Sequence, residues 1–191
     1  MSSSIATTDV LFIQGAGKAV HAEWDSKLVA SLRRELGARY VVRYPQMPNE
    51  DDPTLAAWRP VLERELASLG KGAIVVGHSV GGTILINVIA ESPPTVALDA
   101  IVLIAAPFIG DGGWESEEIQ PRADLAERLP SGVPVFLFHG ENDDEVPIAH
   151  VELYARSIPR AQVHRLAGRD HQLNDDLSDV ARVIRDDRPT R

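Results

Sequence analysis

Residues 73–90 read Ala-Ile-Val-Val-Gly-His-Ser-Val-Gly-Gly-Thr-Ile-Leu-Ile-Asn-Val-Ile-Ala, which is an apolar run, a serine between glycines and a second apolar run. The first run predicts a β-strand and the second a helix beginning near Val80. The turn between them fits G-x-S-x-G, which places a serine hydroxyl on a sharp strand-to-helix turn. We therefore predict that Ser79 is a nucleophile held in a strained turn, with Gly77 and Gly81 small because the strand and helix pass close together. The alternative is a plain glycine-rich turn in which Ser79 caps the helix.

Strands and helices alternate outward from this motif along the whole chain. Further apolar stretches predict strands at 10–13, 40–43, 100–104, 133–138 and 162–166, and helical patterns occur at 24–36, 55–69, 123–129, 148–157 and 177–185. Several strands are continuous apolar runs, which is typical of strands covered on both faces. The prediction is therefore an α/β protein, a three-layer α/β/α sandwich with a mainly parallel sheet.

Composition limits the classes of function. The 191 residues fit a single domain spanning 1–191, with frayed ends expected at 1–8 and 186–191. The chain has no cysteine, which excludes disulfides, thiolate metal sites and a cysteine nucleophile. The net charge of −9 disfavours binding to nucleic acid. No apolar run reaches the roughly 18 residues of a membrane span, and the first residues do not read as a secretion signal. We expect a cytoplasmic protein without a membrane partner, and its oligomeric state is left open.

A serine hydroxyl is a weak nucleophile at neutral pH, so it needs a base, and the base needs an orienting carboxylate. After a serine in this setting, the carboxylate is expected behind a late strand and the histidine last. The fifth predicted strand runs into an acidic segment that includes Asp143 and Asp144. The sixth runs into a loop that ends in His171. Both groups occur in the expected order, and His171 is the predicted base.

On these motifs the sequence resembles the α/β-hydrolases. More narrowly, it resembles the small serine hydrolases typified by retinoblastoma-binding protein 9 and its bacterial relatives. The narrower resemblance rests on the short length, on Tyr44-Pro45-Gln46-Met47-Pro48-Asn49, on the helix around Trp58 and on Gly77-His78-Ser79. It implies a minimal α/β-hydrolase fold with a six-stranded, mainly parallel sheet in the order 2-1-3-4-5-6.

The resemblance also implies the remaining catalytic groups. The family pattern HG-x-x-D-x-x-V-P places the acid at Asp143, with Asp144 as its rival. An oxyanion hole needs two backbone N–H donors. The resemblance places them at Val80 and, in the loop after the first strand, at Ala16, with Gly17 as the second choice. The implied strand order would bring that loop and Ser79 to one switch point, where open α/β sheets bind ligands.

The other five histidines have different interpretations. His164 lies inside a predicted strand and His150 at the start of a helix. The side chain of His78 is predicted to point away from the cleft, and that of His139 to support the acid loop. His21, near the first loop, is a candidate substrate contact.

The segment Gly15-Ala16-Gly17-Lys18-Ala19-Val20 also suggests a nucleotide-binding loop, but the pattern is incomplete. The third glycine of a dinucleotide fingerprint is replaced by Val20, and the acid expected after the second strand is missing. A P-loop would need Ser or Thr at Ala19. No histidine pair has the spacing of a metal site. We expect no cofactor and no metal.

The predicted function is hydrolysis of small carboxylic esters or thioesters, because the chain leaves little room for a cap domain. The longest insertion carries Phe108, Ile109 and Trp114, which would line an acyl pocket or merely cover the sheet edge. Gly17 and His21 are the other candidate lining residues. Two alternatives stay open at this stage. An amidase or peptidase would use the same triad, and a catalytically idle binding protein would use the same scaffold.

Overall fold

The structure, a computed structural model, describes residues 7–186. Strands and helices alternate in this range. They are β1 (Thr8–Ile13), α1 (Asp25–Leu36), β2 (Tyr40–Arg43), α2 (Leu55–Ala67), β3 (Ala73–His78), α3 (Ser79–Glu91), β4 (Leu98–Ile104), α4 (Leu125–Arg128), β5 (Val135–Gly140), α5 (Ala149–Ser157), β6 (Gln162–Leu166) and α6 (Ser178–Asp186). A π-helical turn, Val20–Trp24, precedes α1, and a short turn, Leu173–Asp175, precedes α6.

The six strands form one parallel sheet in the order β2-β1-β3-β4-β5-β6. This arrangement confirms the predicted fold class and strand order. The chain leaves β1 toward one edge of the sheet and returns to add β3 on the other side of β1. Ile13 therefore lies opposite Gly77, and the loop after β1 opens beside the turn after β3. Such a switch point leaves a crevice at the carboxyl ends of the strands.

Different helices cover the two faces of the sheet. On one face, Phe12 and Phe136 are buried with the apolar residues of α1 and α6. On the other face, Leu11 and Val75 are buried with those of α2, α3, α4 and α5. Adjacent strand residues point to opposite faces, so a strand covered on both faces must be apolar at every position. This explains the continuous apolar runs in the sequence.

The main differences from the predicted elements occur beside the crevice. β3 continues to His78 and β5 to Gly140, so that each strand ends directly at a candidate catalytic segment. The two short turns before α1 and α6 were not predicted, because they are too brief to give a periodic apolar pattern. The predicted frayed ends lie outside the described residues, apart from positions 7, 8 and 186. Thr8 begins β1, and Asp186 ends α6.

Candidate active site

Ser79 lies at the turn between β3 and α3 with a φ of 51°, the left-handed region that L-residues rarely adopt. The turn is closely packed. A Cβ atom on Gly77 would collide with the backbone of Gly82, and one on Gly81 would collide with the carbonyl oxygen of Gln14. The missing side chain of Gly77 lets β3 approach α3, and that of Gly81 lets α3 approach the start of the loop after β1. Ser79 remains 9% exposed.

Asp143 and His171 form a direct hydrogen bond beside this turn. His171 Nδ1 lies 2.8 Å from Asp143 Oδ2, and both side chains are buried. Asp143 Oδ1 accepts the backbone N–H groups of Glu145 and Val146 at 2.9 and 2.8 Å. His139 Nε2 lies 3.1 Å from Asp143 Oδ2. The acid loop is thus a cage of donors around a single carboxylate.

That cage determines the charge of Asp143. Burial by itself raises the pKa of this carboxyl, but the hydrogen bonds from His139, His171 and the Val146 N–H outweigh burial and hold the pKa well below its usual range. The carboxylate is therefore ionised at neutral pH and accepts the proton on His171 Nδ1. The other ring nitrogen of His171 is left to act as a base.

The two candidate acids are treated differently by the structure. Asp143 points inward to His171, whereas Asp144 is exposed and its carboxylate makes no hydrogen bond to any residue in the range 7–186. This placement supports Asp143 over Asp144 as the orienting acid. His139 also has the supporting position predicted for it, because its Nε2 lies 2.8 Å from the carbonyl oxygen of Val146 as well as beside Asp143.

His78 links Ser79 to His171, because it precedes Ser79 in the chain and its ring contacts the ring of His171. The rings of His78 and His171 are 4.9 Å apart between centroids, and His78 Nε2 lies 3.1 Å from the carbonyl oxygen of His171. No hydrogen bond joins Ser79 Oγ to the His171 ring within the described part of the chain. Catalytic hydrogen bonds are often long or poorly aligned until substrate is bound. His171 Nε2 also lies 3.7 Å from the exposed carboxylate of Glu145.

The backbone N–H groups at positions 15, 16 and 17 of the loop after β1 differ in their partners. The Gly15 N–H donates to Asp25 Oδ2 at 2.7 Å, and the Gly17 N–H donates to the carbonyl oxygen of Glu50 at 2.7 Å. Ala16 lies between them, and among the described residues its N–H has no acceptor. The Val80 N–H belongs to the first turn of α3, where helical N–H groups have no partner within the helix. These contacts support Ala16 and Val80, rather than Gly17, as the oxyanion donors.

Gln14 holds this loop in place. Its side chain is fully buried, donates from Nε2 to Glu50 Oε2 at 2.8 Å and accepts the N–H of Met47 on Oε1 at 3.0 Å. Glu50 in turn accepts the N–H of His21 at 3.0 Å. Gln14 therefore ties the loop after β1 to the segment after β2.

A cavity of about 250 Å³ adjoins the turn at Val80. Its apolar wall includes Leu55, Ile84, Ile109, Trp114 and Ile119. Three exposed glutamates, Glu115, Glu117 and Glu118, also line it, and none of them forms an ion pair with a basic residue of the described chain. The cavity is thus apolar inside and acidic at its rim.

The other candidate lining residues face elsewhere. Phe108 does not line this cavity, since its ring packs edge-on against Tyr154 with centroids 5.1 Å apart. His21 stacks on Tyr44 at 4.1 Å between ring centroids, and neither His21 nor Gly17 lines the cavity. A larger cavity of about 800 Å³ lies between residues 46–54 and α2 but contains none of the candidate catalytic groups.

Two further histidines contact residues outside the candidate catalytic group. His164 stacks on Phe138 with ring centroids 4.5 Å apart, inside the sheet as predicted. His150 Nδ1 accepts the N–H of Phe108 at 2.8 Å, and burial lowers the pKa of His150. A neutral His150 therefore supports the segment that carries Ile109 and Trp114.

Sequence reasoning missed Asp25. This carboxylate is fully buried at the start of α1 and contacts Gly15 and His78. Asp25 and His78 are separated by 53 positions, so no local pattern could have joined them.

Within residues 7–186, no three side chains of the ligating types come together in a way that could hold a metal ion. None of the helices in that range is long and apolar enough to cross a bilayer.

The α/β hydrolase family profile matches residues 10–185, so the chain belongs to the α/β hydrolase family. The narrower resemblance to the retinoblastoma-binding protein 9 group stays a prediction. No curated protein sequence matches the chain with significance.

Solved structures with the same fold include several hydrolases. A serine hydrolase involved in carbazole degradation superposes with a TM-score of 0.69 at 14% identity, over 95% of this chain and 91% of that one. An esterase from a Rhodococcus species gives 0.68 at 17% identity, over 94% and 89%. A lidless α/β serine hydrolase from Xanthomonas campestris gives 0.62 at 16% identity, over 100% and 87%. At such low identity, these likenesses show the fold alone.

Proposed function

We propose that the chain is a serine hydrolase that cleaves small carboxylic esters through an acyl-enzyme intermediate. Ser79 is the nucleophile, His171 the general base and Asp143 the orienting acid. The observation that carries the proposal is the 2.8 Å hydrogen bond between the buried Asp143 side chain and His171 Nδ1. This bond lies at the carboxyl ends of the strands, as does the Ser79 turn. A carboxylate on Nδ1 fixes the tautomer in which Nε2 accepts a proton.

The reaction follows from these positions. His171 Nε2 takes the proton of Ser79 Oγ as the oxygen attacks the ester carbonyl. The N–H groups of Ala16 and Val80 stabilise the negative charge on the carbonyl oxygen. His171 then gives its proton to the departing alkoxide, which leaves as an alcohol. Water attacks the acyl-Ser79 ester and gives a proton to His171. His171 then returns that proton to Ser79 Oγ as the bond to the acyl carbon breaks and the carboxylic acid is released.

The cavity beside Val80 suggests the class of substrate. About 250 Å³ of mainly apolar space suits a modest acyl or aryl group rather than a polymer. The unpaired carboxylates of Glu115 and Glu117 at the rim repel anionic substrates. We therefore favour neutral esters as substrates. Among thioesters, we favour neutral ones over those attached to polyanionic carriers.

Fluorophosphonate labelling, followed by a panel of p-nitrophenyl esters of increasing acyl length, tests the proposal. Wild-type protein should be labelled at Ser79 and should hydrolyse short neutral esters, whereas Ser79→Ala should do neither. Peptide p-nitroanilides run in parallel report amidase activity. Folded wild-type protein that resists the label would identify an idle scaffold, and turnover of anilides alone would identify an amidase.

A further inference from the structure

Asp25 and His78 form a second, fully buried histidine–carboxylate pair directly beneath the candidate catalytic residues. The Asp25 side chain is 0% exposed and that of His78 is 1% exposed. His78 Nδ1 lies 2.9 and 3.0 Å from the two carboxylate oxygens of Asp25. His78 Nε2 lies 3.1 Å from the backbone carbonyl oxygen of His171. The mechanism described above does not use this pair.

The surroundings of His78 specify its protonation state. Both ring nitrogens face acceptors, a carboxylate on one side and a carbonyl on the other, so both are satisfied when the ring carries two protons. Burial by itself lowers the pKa of His78, but the charge and hydrogen bond of Asp25 outweigh it and raise the pKa above its ordinary value. The smaller contributions that raise it come from the carbonyl of His171 and the charge of Asp143.

The pair touches all three segments that the reaction needs. Asp25 Oδ2 accepts the N–H of Gly15, the residue before the proposed oxyanion donor Ala16. His78 is bonded covalently to Ser79 and holds the backbone of His171. These backbone groups are buried and would be costly to leave without partners.

Packing leaves little freedom for these segments to shift. A Cβ atom on Gly15 would lie 3.1 Å from Ser79 Cβ and 3.3 Å from His78 Nδ1. The loop after β1 therefore rests directly on the serine turn, and the ion pair sets the distance between them.

We propose that Asp25 and His78 are a positioning pair. This imidazolium–carboxylate couple fixes the relative positions of the oxyanion loop, the serine turn and the base loop. This inference rests on the proposed function of Ser79 and His171. Neither member of the pair touches substrate, and each acts through a neighbouring backbone group. Displacing a catalytic group by about 1 Å can cost on the order of 10²-fold in rate.

The test compares variants that break the pair with one that preserves its hydrogen bonds. Asp25→Ser and His78→Gln should each lower kcat about 10²-fold while KM changes less than about threefold. Asp25→Asn should retain most of the activity. Its amide oxygen can accept the Gly15 N–H while its NH₂ donates to Nδ1 of a neutral His78, whose Nε2–H still reaches His171. Because asparagine also keeps the bulk of aspartate, Asp25→Leu, of similar volume but without hydrogen-bonding groups, should lose activity as Asp25→Ser does.

Ser31→Ala is the matched control for lost stability. Ser31 is a buried polar residue on the same helix, its hydroxyl accepts the N–H of Leu177 at 3.0 Å, and among the described residues its side chain makes no hydrogen bond to the serine turn. It should lower the melting temperature without changing kcat. Wild-type kcat in folded His78→Gln and Asp25→Ser would overturn the positioning role.

Two further measurements separate this inference from the proposed function. Ser79→Ala that stays active would refute the proposed function, whereas inactive Ser79→Ala beside fully active His78→Gln would refute the positioning pair alone. Nitrogen-15 NMR of histidine-labelled wild-type protein at pH 8 gives a readout without catalysis. His78, identified by the signal missing from His78→Gln, should carry protons on both ring nitrogens. A singly protonated ring would overturn the charged pair.

Discussion

The carboxylate of Asp143 accepts the Nδ1 proton of His171 at 2.8 Å while its other oxygen is occupied by two backbone N–H groups. An amide at this position would present its NH₂ to at least one donor and favour the wrong tautomer of His171. We expect Asp143→Asn to lower kcat/KM by about 10⁴-fold. Asp144→Asn, the control one residue away, should change it less than about twofold, since that carboxylate is exposed. The reverse ranking in steady-state ester hydrolysis would show that Asp144 is the acid.

The left-handed backbone of Ser79 predicts that glycine at this position abolishes activity but gives a more stable protein than alanine does. Ser79→Ala and Ser79→Gly should both lose on the order of 10⁶-fold in kcat. Glycine adopts a φ of 51° without the penalty of roughly 1–2 kcal/mol that a Cβ incurs. Ser79→Gly should therefore melt above Ser79→Ala, by about 2–4 °C for each kcal/mol in a chain of this size. Equal melting temperatures in calorimetry would mean that the turn relaxes when the hydroxyl is removed.

The depressed pKa of Asp143 predicts a loss of stability in acid. A carboxyl whose pKa is lower in the folded than in the unfolded chain contributes stability above the unfolded value, about 3.9, and loses that contribution as the pH falls toward the folded value. The free energy of unfolding of the wild type should therefore decline below about pH 4. Urea unfolding between pH 2.5 and pH 6, roughly the range spanned by this titration, measures it.

Asp143→Asn is the comparison for that measurement. Its stability deficit relative to the wild type should shrink as the pH falls, because protonation weakens the same contacts in the wild type. Asp144→Asn should follow the wild-type curve. A deficit for Asp143→Asn that stays constant with pH would contradict the assignment of a depressed pKa to Asp143.

The acidic rim of the cavity predicts discrimination by substrate charge. Glu115→Gln combined with Glu117→Gln should raise kcat/KM for an anionic hemi-ester, relative to a neutral ester of equal length, by about tenfold at low salt. The gain should fall at high salt, where exposed charges are screened. Glu63→Gln combined with Glu127→Gln makes the same change in net charge away from the cavity. An equal effect from both pairs would assign the preference to net charge and not to the rim.

Local sequence determined the framework. Continuous apolar runs in several of the strands required a sheet covered on both faces, and this required helices in both outer layers. Gly77 predicted the close approach of β3 and α3, which the structure confirms, whereas Gly81 instead allows α3 to approach the end of β1 and Gln14. Chain order placed an acid and then a histidine after the late strands. These features depend on neighbours within a few residues, which is the range that periodicity and turn chemistry report.

The contacts that distinguish adjacent candidate residues depended on tertiary structure. Asp143 and Asp144 have the same chemistry, and only the path of the acid loop turns one carboxylate inward to His171. Ala16 and Gly17 both follow β1, and the carbonyl of Glu50 accepts the N–H of Gly17, whereas that of Ala16 has no partner among residues 7–186. The family pattern favoured Asp143 and Ala16 over these neighbours, and only the folded chain shows the contacts that support that choice.

The contacts beneath the site were also settled only by the folded chain. Asp25 and His78 meet across 53 positions because α1 and β3 pack at the same switch point. Phe108 turns to Tyr154 while Trp114, six positions on, lines the cavity. Side-chain directions of this kind result from packing between elements distant in sequence. The local pattern predicts which elements form, and the packing between them decides which polar groups are buried together.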